Sequence, residues 1–186
     1  MEENTQKVLI CGIGNPFFGD QGIGIDLALY LRDKYPDHPN VDIVEIRQDH
    51  LKILEVWQDY GHVIILTFTR TDAEGGTLSE FDVTEGTLPD FFEEQNHSGV
   101  GLKKTLNLAN AMRTMPKFCK VFGVEGHDFR KRIEISEEAQ TNYLELIKKI
   151  DAIISEVEKL NSASNTPAEE NEDSEGSSSS EAESNS

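Results

Sequence analysis

The sequence predicts a single α/β domain with three layers, in which helices cover both faces of a mostly parallel sheet. Short apolar runs alternate with segments of about 10 to 15 residues that carry apolar side chains at helical spacing, and this alternation is typical of βαβ units. One run, 62–68, is apolar almost throughout, as expected of a strand buried on both faces. The 186 residues are enough for one such domain and a tail.

The first strands and the first helix are predicted from apolar spacing and from the residues that end each element. Segment 7–14 is a short apolar run that ends in glycines, which indicates a buried strand. Segment 22–35 places apolar residues, Tyr30 among them, at helical spacing and is closed by Pro36, which predicts a helix. Segment 41–47 alternates apolar and polar residues, as a half-buried strand does.

The middle of the chain predicts a helix, a further strand and a loop. Segment 50–60 is predicted to be a helix whose buried face includes Leu51 and Trp57. A Gly-Gly turn precedes segment 77–83, which alternates apolar and polar residues and is predicted to be a strand. The polar segment 85–98 is predicted to be a loop.

The last third of the folded part predicts a helix, a strand and a long final helix. Segment 101–115 is helical and stops before Pro116, and the apolar segment 118–124 is a strand. The final helix is predicted over 137–160, with Ser136 as its N-cap. Because ligands of parallel sheets bind beyond the carboxyl ends of the strands, we expect the functional residues in the loops that follow them.

The charge of the chain is strongly acidic, and its end differs in composition from the rest. The formal net charge is −18. Residues 161–186 hold seven acids, no Lys or Arg, and no apolar residue larger than Ala. We therefore expect a folded domain over 1–160 and a disordered, acidic tail rich in Ser and Glu over 161–186. The acidic balance argues against nucleic acid and against an anionic membrane as partners.

Cysteine usage and hydropathy predict a cytoplasmic protein. Cys11 and Cys119 fall in predicted buried strands, and no CxxC motif occurs, which favours reduced core thiols. The first ten residues lack the basic and apolar regions of a signal peptide. No apolar run approaches the roughly 18 residues of a membrane span.

A glycine-rich stretch at 12–24, GIGNPFFGDQGIG, joins the first strand to the first helix. Gly12 and Gly14 fit the start of a dinucleotide-binding fingerprint, but Phe17 stands where its third glycine is required. A nucleotide-binding module is therefore disfavoured. From the residue types alone, Asp20 is interpreted as a cap of the following helix.

Several segments together resemble the nickel–iron hydrogenase maturation endopeptidases. The stretch GIGNPFFGDQGIGIDLALYL matches their opening motif, G-[IV]-G-N-x-x-x-x-D-[DE]-x-[IAV]-G, followed by the first helix. Weaker matches follow in the family's order along the chain: RQDHLKILE, HVIIL, HSG with LNLA, VFGVEG, and the IS before the last helix. The resemblance covers about residues 7 to 157 and implies the three-layer α/β fold of that family.

The resemblance also implies an activity and three site positions. These endopeptidases clip a C-terminal extension from a hydrogenase large subunit after nickel insertion, and they recognise the metal on the substrate through an acid, an Asp and a His. The corresponding positions here are Gln21, Thr67 and His97. His97 matches when the following loop is one residue longer than usual, and without that gap Ser98 takes the position. The family's substrate-docking loop implies roles for three further residues, which are Gly14, Asn15 and Gly19.

The metal-reading positions depart from the family in their chemistry. Gln21 and Thr67 replace two carboxylates with a neutral amide and a hydroxyl, which are poor ligands for divalent nickel or zinc. Asp20 and Asp72, near predicted loop ends, are the candidates for replacing the lost charge. We expect no permanently bound cofactor, and nickel or zinc bound only weakly through this substrate-recognition site.

No catalytic residue is assigned. The resemblance implies no nucleophile, and His97 followed by Ser98 is not by itself a triad geometry. A G-x-S-x-G nucleophile elbow is absent from the sequence.

Three hypotheses for the function are open, and they place the chain in different classes. In the first, the chain has kept the fold and the docking loop, has lost the metal-reading acids, and acts as a binding or assembly factor for a hydrogenase-like metalloenzyme large subunit. In the second, it is an active maturation endopeptidase with an altered site built from His97, Asp20 and Asp72. In the third, which the failed fingerprint disfavours, it is a module that binds a small ligand or a nucleotide through the glycine-rich loop. The loss of two carboxylates favours the first hypothesis.

Overall fold

A five-stranded sheet forms the centre of the domain. The computed structural model describes residues 7–47, 49–84, 87–94 and 100–164. Their strands are β1 (Val8–Ile13), β2 (Val41–Ile46), β3 (His62–Thr69), β4 (Leu78–Asp82) and β5 (Phe118–Glu125). The order across the sheet is β2-β1-β3-β5-β4, and all neighbours are parallel except β4, which runs antiparallel to β5. The predicted mostly parallel α/β fold is confirmed.

Helices cover both faces of this sheet. They are α1 (Ile23–Lys34), α2 (Ile53–Val56), α3 (Phe91–Glu94), α4 (Leu102–Met112), α5 (Glu137–Gln140) and α6 (Tyr143–Ser164). The buried side chains of α1 and α6 form one core with the sheet, and those of α2, α3 and α4 form the other. The protein therefore has the three layers that the sequence predicted.

The side chains of β1 point alternately to the two faces of the sheet and so contribute to both cores. Val8 and Ile10 pack towards α1 and α6, whereas Leu9 and Cys11 pack towards α2 and α4. Because successive side chains of a strand point to opposite faces, a strand with cores on both sides is apolar at every position. This is why the run could be recognised in the sequence.

Both cysteine thiols are buried and free. Cys11 lies in β1 and Cys119 in β5. Burial raises the pKa of both thiols, that of Cys119 to about 12. A thiol that stays protonated near neutral pH is a weak nucleophile, so both act as core side chains, as expected.

Two predicted helical faces are wrong in detail. Tyr30 is half exposed. The buried stripe of α1 is formed by Ile23, Leu27 and Leu31, which follow one another at intervals of four residues and so lie on one face of the helix. The predicted helix 50–60 is a 3₁₀ turn, His50–Lys52, followed by the short α2. A 3₁₀ turn has three residues per turn, which places His50, Ile53 and Trp57 inside and leaves Leu51 exposed.

The final helix is divided in two, contrary to the prediction of one helix over 137–160. The side-chain amide of Asn142 donates a hydrogen bond to the carbonyl oxygen of Gly76 (3.0 Å), which holds the chain against the turn before β4 and separates α5 from α6. The Ser136 N-cap is confirmed, since its hydroxyl accepts from the amide of Ala139 (3.3 Å). Helix α6 continues to Ser164, beyond the predicted end at 160.

Two further predictions fall partly on residues that the structure does not describe. The predicted loop 85–98 includes the short α3, while 85, 86 and 95–99 lie outside the described part of the chain. Most of the predicted tail, 165–186, lies outside it as well. Within the described ranges, every helix is too short or too polar to cross a membrane.

The strand order places a crevice at one edge of the sheet. From β1 the chain moves to β2 on one side and then to β3 on the other, so the connections diverge between β1 and β3. In open α/β sheets this divergence, at the carboxyl ends of the strands, is where ligands bind. The loops after β1, β3 and β5 all reach this edge.

Gly24 sets how closely α1 approaches the sheet. A Cβ atom built on Gly24 would overlap the carbonyl oxygens of Ile13 and Leu66, at the ends of β1 and β3. Helix propensity alone favours Ala over Gly by about 1 kcal/mol. Overpacking against backbone atoms, which cannot move aside, costs about 1–3 kcal/mol or more and should dominate.

We therefore predict that Gly24→Ala lowers the free energy of unfolding by at least about 1 kcal/mol in urea denaturation. Leu29→Ala, at an exposed position of the same helix, is the control and should change it by less than about 0.5 kcal/mol. A more stable Gly24→Ala variant would contradict the close approach.

Candidate functional site

The candidate site is built from the loops at the carboxyl edge of the sheet. The segment that follows β1 carries the glycine-rich stretch and ends in a 3₁₀ turn, Gly19–Gly22, which packs against β3. Segment 126–136 follows β5 and leads into α5. Hydrogen bonds join these two segments at several points.

Asp20 is the centre of these contacts. Its side chain is completely buried. Oδ2 accepts hydrogen bonds from the backbone amides of His127 and Asp128, both at 2.8 Å. Ser136 donates twice, from its amide to Oδ1 (2.8 Å) and from its hydroxyl to Oδ2 (2.9 Å). Four donors thus hold the carboxylate, so its role is to fix segment 126–136, and the interpretation as a cap of α1 is wrong.

Backbone hydrogen bonds extend this clamp into a short ladder. The amide of Asp20 donates to the carbonyl of Asp128 (2.8 Å), and that of Gly19 donates to the carbonyl of Arg132 (2.8 Å). The backbone amide of Arg132 donates in return to the carbonyl of Phe17 (3.1 Å). Gly19 has a φ of 53°, in the left-handed region that favours glycine. The two loops therefore form one unit.

The three residues predicted for a substrate-docking loop all hold the loop's own conformation. The amide of Gly14 donates to the carbonyl of Ile46 (3.3 Å), at the end of β2. Asn15 closes the loop, because its amide donates to the carbonyl of Gln21 (2.9 Å) and its Oδ1 accepts from Phe17 N (3.1 Å). Gly19 joins the loop to Arg132. Their part in binding a substrate stays a prediction.

Gln21 and Thr67 lie at the same edge of the sheet. Gln21 is half-buried in the 3₁₀ turn that packs against β3, and Thr67 is buried near the end of β3. His97 lies outside the described residues. The structure therefore brings two of the three family positions to one edge, while the third stays a prediction.

Glu125, which the sequence analysis missed, is a second buried carboxylate at this edge. It accepts hydrogen bonds from the Thr69 hydroxyl (2.7 Å) and from Thr71, through its amide (2.5 Å) and its hydroxyl (3.0 Å). These bonds hold the segment after β3 on the end of β5. Asp72 follows them, exposed, with a φ of 65°. A polar residue that ends an apolar strand was the signal in the sequence.

The donor set fits a divalent metal poorly. Gln21 and Thr67 supply neutral oxygens, and Asp20, the buried acid next to Gln21 in the chain, already accepts from four donors that would lose their partner if it turned to a metal. Among the described residues, no three His, Cys, Asp or Glu side chains are grouped so that they could hold a metal ion.

Two other histidines, His127 and His50, lie in the segments that follow β5 and β2. His127 is exposed, and its Nε2 lies 2.7 Å from the carbonyl oxygen of Ala73. His50 is buried beyond the end of β2, and burial lowers its pKa although the charge of Asp49 opposes the shift.

Comparison with known proteins identifies the fold. No protein-family model and no curated protein sequence matches the chain. Among solved structures, the chain is similar to an endopeptidase from Escherichia coli (TM-score 0.70, 20% identity, 81% of this chain and 93% of that one). It is also similar to the hydrogenase maturating endopeptidase HybD from E. coli (TM-score 0.67, 18% identity, 81% and 93%). A third match is the [NiFe] hydrogenase maturation protease HycI from Thermococcus kodakarensis (0.61, 20%, 83% and 95%).

These matches confirm the fold that the motif resemblance implied. The chain has the fold of the hydrogenase maturation endopeptidases over most of its length and most of theirs. At identities of 20% or less, the likeness concerns the fold, and the activity is decided by the residues of the site.

The Asp20 clamp leads to a prediction about stability and local order. Asp20→Asn replaces one acceptor oxygen with an amide group that faces other donors, and we expect the free energy of unfolding to fall by about 3 kcal/mol or more. Hydrogen exchange at the amides of His127, Asp128 and Ser136 should accelerate. Asp72→Asn, the matched control at an exposed position, should leave both measurements unchanged. Unaltered exchange in Asp20→Asn would contradict the clamp.

Proposed function

We propose that this chain is a hydrogenase-maturation-protease-like protein that has lost the metal-reading chemistry of that fold. It acts by binding, as an assembly factor for a hydrogenase-like metalloenzyme large subunit. The fold and the ordered loop after β1 support a partner of the kind that the structural relatives' names indicate. The altered residues at the site support binding without metal-directed cleavage.

The observation that carries this proposal is that the carboxylate of Asp20 already accepts four hydrogen bonds within the protein. Gln21 and Thr67 bring no negative charge to the site, and a neutral amide or hydroxyl oxygen is a poorer ligand for divalent nickel or zinc than a carboxylate, a thiolate or an imidazole. Asp20 is adjacent to Gln21 in the chain, yet its carboxylate is buried against segment 126–136. Using it as a ligand would dismantle the loop unit that forms the surface.

Restoring the two carboxylates should restore metal affinity. We predict that Gln21→Glu combined with Thr67→Asp raises the affinity of the full chain for Ni²⁺ and Zn²⁺ by about 100-fold or more, since even indirect partners of metal ligands change affinity 10–100-fold. Isothermal titration calorimetry near neutral pH measures it. His97→Ala in the otherwise unaltered chain should change little.

The control adds the same two charges away from the site. Gln58→Glu combined with Thr114→Asp places them at exposed positions after α2 and α4, and should leave the affinity unchanged. The acidic tail is present in every variant, so its own metal binding cancels in the comparison. Tight one-to-one binding by the unaltered chain, abolished by His97→Ala, would contradict the loss of the site.

A protein substrate distinguishes the proposed assembly factor from the alternative, an active endopeptidase. If the chain is an assembly factor, it should bind a purified nickel-loaded hydrogenase large-subunit precursor from the same organism and leave the mass of the precursor unchanged. Intact-mass spectrometry of the precursor after incubation distinguishes the two functions. Release of a C-terminal peptide would establish the endopeptidase, and absence of binding would exclude both.

A further inference from the structure

His50 begins the 3₁₀ turn that follows β2, and its imidazole is buried (7% exposed). This turn, His50–Lys52, packs against α2 and α4. The Nδ1 atom of His50 is buried, and none of the described residues offers it a hydrogen-bond partner. Buried polar atoms are almost always hydrogen-bonded, because they otherwise lose their water without replacement. An unpartnered imidazole nitrogen at this position therefore requires an explanation.

Two further polar atoms of the same layer are buried without a partner among the described residues. They are Oγ1 of Thr105 in α4 and Nε1 of Trp57, which follows α2 directly. Apolar residues such as Ile53 and Leu106 form the core that residues 50–57 share with α4. The contact between these two parts is therefore stabilised by apolar burial, and each unpartnered polar atom weakens it.

The imidazole of His50 is uncharged near neutral pH, because burial lowers its pKa below the ordinary value of about 6.5. The negative charge of Asp49, the residue before it, opposes this shift. The other charged residues on the elements that pack against the turn are Lys52 in the turn itself, Glu55 in α2, and Lys103 and Lys104 in the first turn of α4. The amine of Lys103 is paired with Asp90. The charge that favours protonation of His50 is thus that of Asp49.

Protonation would place a charged donor at this buried position. Both nitrogens of an imidazolium carry a proton, so Nδ1 of His50 would need an acceptor that the described residues do not supply. A buried charge without partners is strongly disfavoured. The turn and α2 are both short, and short elements with few buried contacts open locally at low cost. Release of the turn into solvent would therefore accompany protonation of His50.

Release of the turn would alter a groove beside the loop after β1. Asp49 and Lys52 line this groove, of about 540 Å³, together with Asn15 and Phe17 of that loop. We propose that His50 is a pH-sensitive latch: the neutral imidazole keeps the turn packed against α4, and the protonated imidazole releases the turn and opens this wall of the groove. The proposal goes beyond the proposed function and requires no partner protein.

The packed state of the turn is favoured above about pH 6.5 and loses its advantage below that pH. In the released turn the pKa of His50 returns to about 6.5, whereas in the packed turn it is lower. The packed state therefore binds fewer protons. The equilibrium constant for release should rise as the pH falls below about 6.5, by at most about tenfold per pH unit.

Hydrogen exchange across this pH window tests the latch in the full chain. The amides of Lys52 and Trp57 donate to the carbonyls of Asp49 and Ile53. After correction for intrinsic rates, the protection of both amides should fall about five- to tenfold from about pH 7 to about pH 5.5. Protection of Ile64, buried in β3, should not fall, which separates local release from global unfolding.

Matched variants identify the titrating group. His50→Gln should abolish the pH dependence at both amides, whereas His127→Gln, at an exposed histidine of the same edge, should retain it. Asp49→Asn removes the charge that favours protonation, so release should begin at a lower pH. Asp59→Asn, at an exposed position after α2, is the control and should not shift it.

The unaltered chain decides the proposal on its own, so the test stands if His50→Gln does not fold. The imidazole of His50, followed by NMR, should titrate below about pH 6.5 in step with a red shift in the emission of Trp57, the chain's single tryptophan. Three results would each overturn the latch: titration of His50 at or above that pH, protection that stays constant to about pH 5.5, or the same pH dependence in His50→Gln.

Discussion

The buried carboxylate of Asp20 is the interaction on which the functional edge of this protein depends. A fully buried negative charge is tolerated only when donors surround it, and here four donors do so, all from segment 127–136. The loop after β1 and the loop after β5 consequently behave as one body. Gln21 and the backbone of the loop after β1 take their positions from that body.

Because Asp20 holds the two loops together, their arrangement does not depend on the residues that would bind a metal. Asp20 holds the two loops through hydrogen bonds in which the side chain of Gln21 takes no part. Glu125 acts similarly at the end of β5, where Thr69 and Thr71 satisfy it. A chain can therefore keep this fold and its surface while losing the ligands, which is why likeness of fold does not decide activity.

Burial patterns made the sheet predictable, and long-range contacts made the rest unpredictable. The strands were recognisable because two cores make β1 and β3 apolar at nearly every position. The division between α5 and α6 was not, because Asn142 is held by Gly76, far away in the chain. Asp20 was taken for a local cap because its true donors are more than 100 residues away. The assignment of Gln21 and Thr67 as family positions rests on motif spacing and stays a prediction, although the structure places both at the carboxyl edge of the sheet.

Rigidity of the loop unit bears directly on how such a surface would bind. Ordering a flexible loop on association reduces affinity, since each immobilised side chain and backbone segment loses entropy. Here the backbone that carries Phe17 and Phe18 is already fixed by hydrogen bonds to Arg132. Arg130 and Arg132 are held over Asp128 before any partner arrives. A backbone that is fixed in this way before binding loses less entropy on association than a flexible loop does.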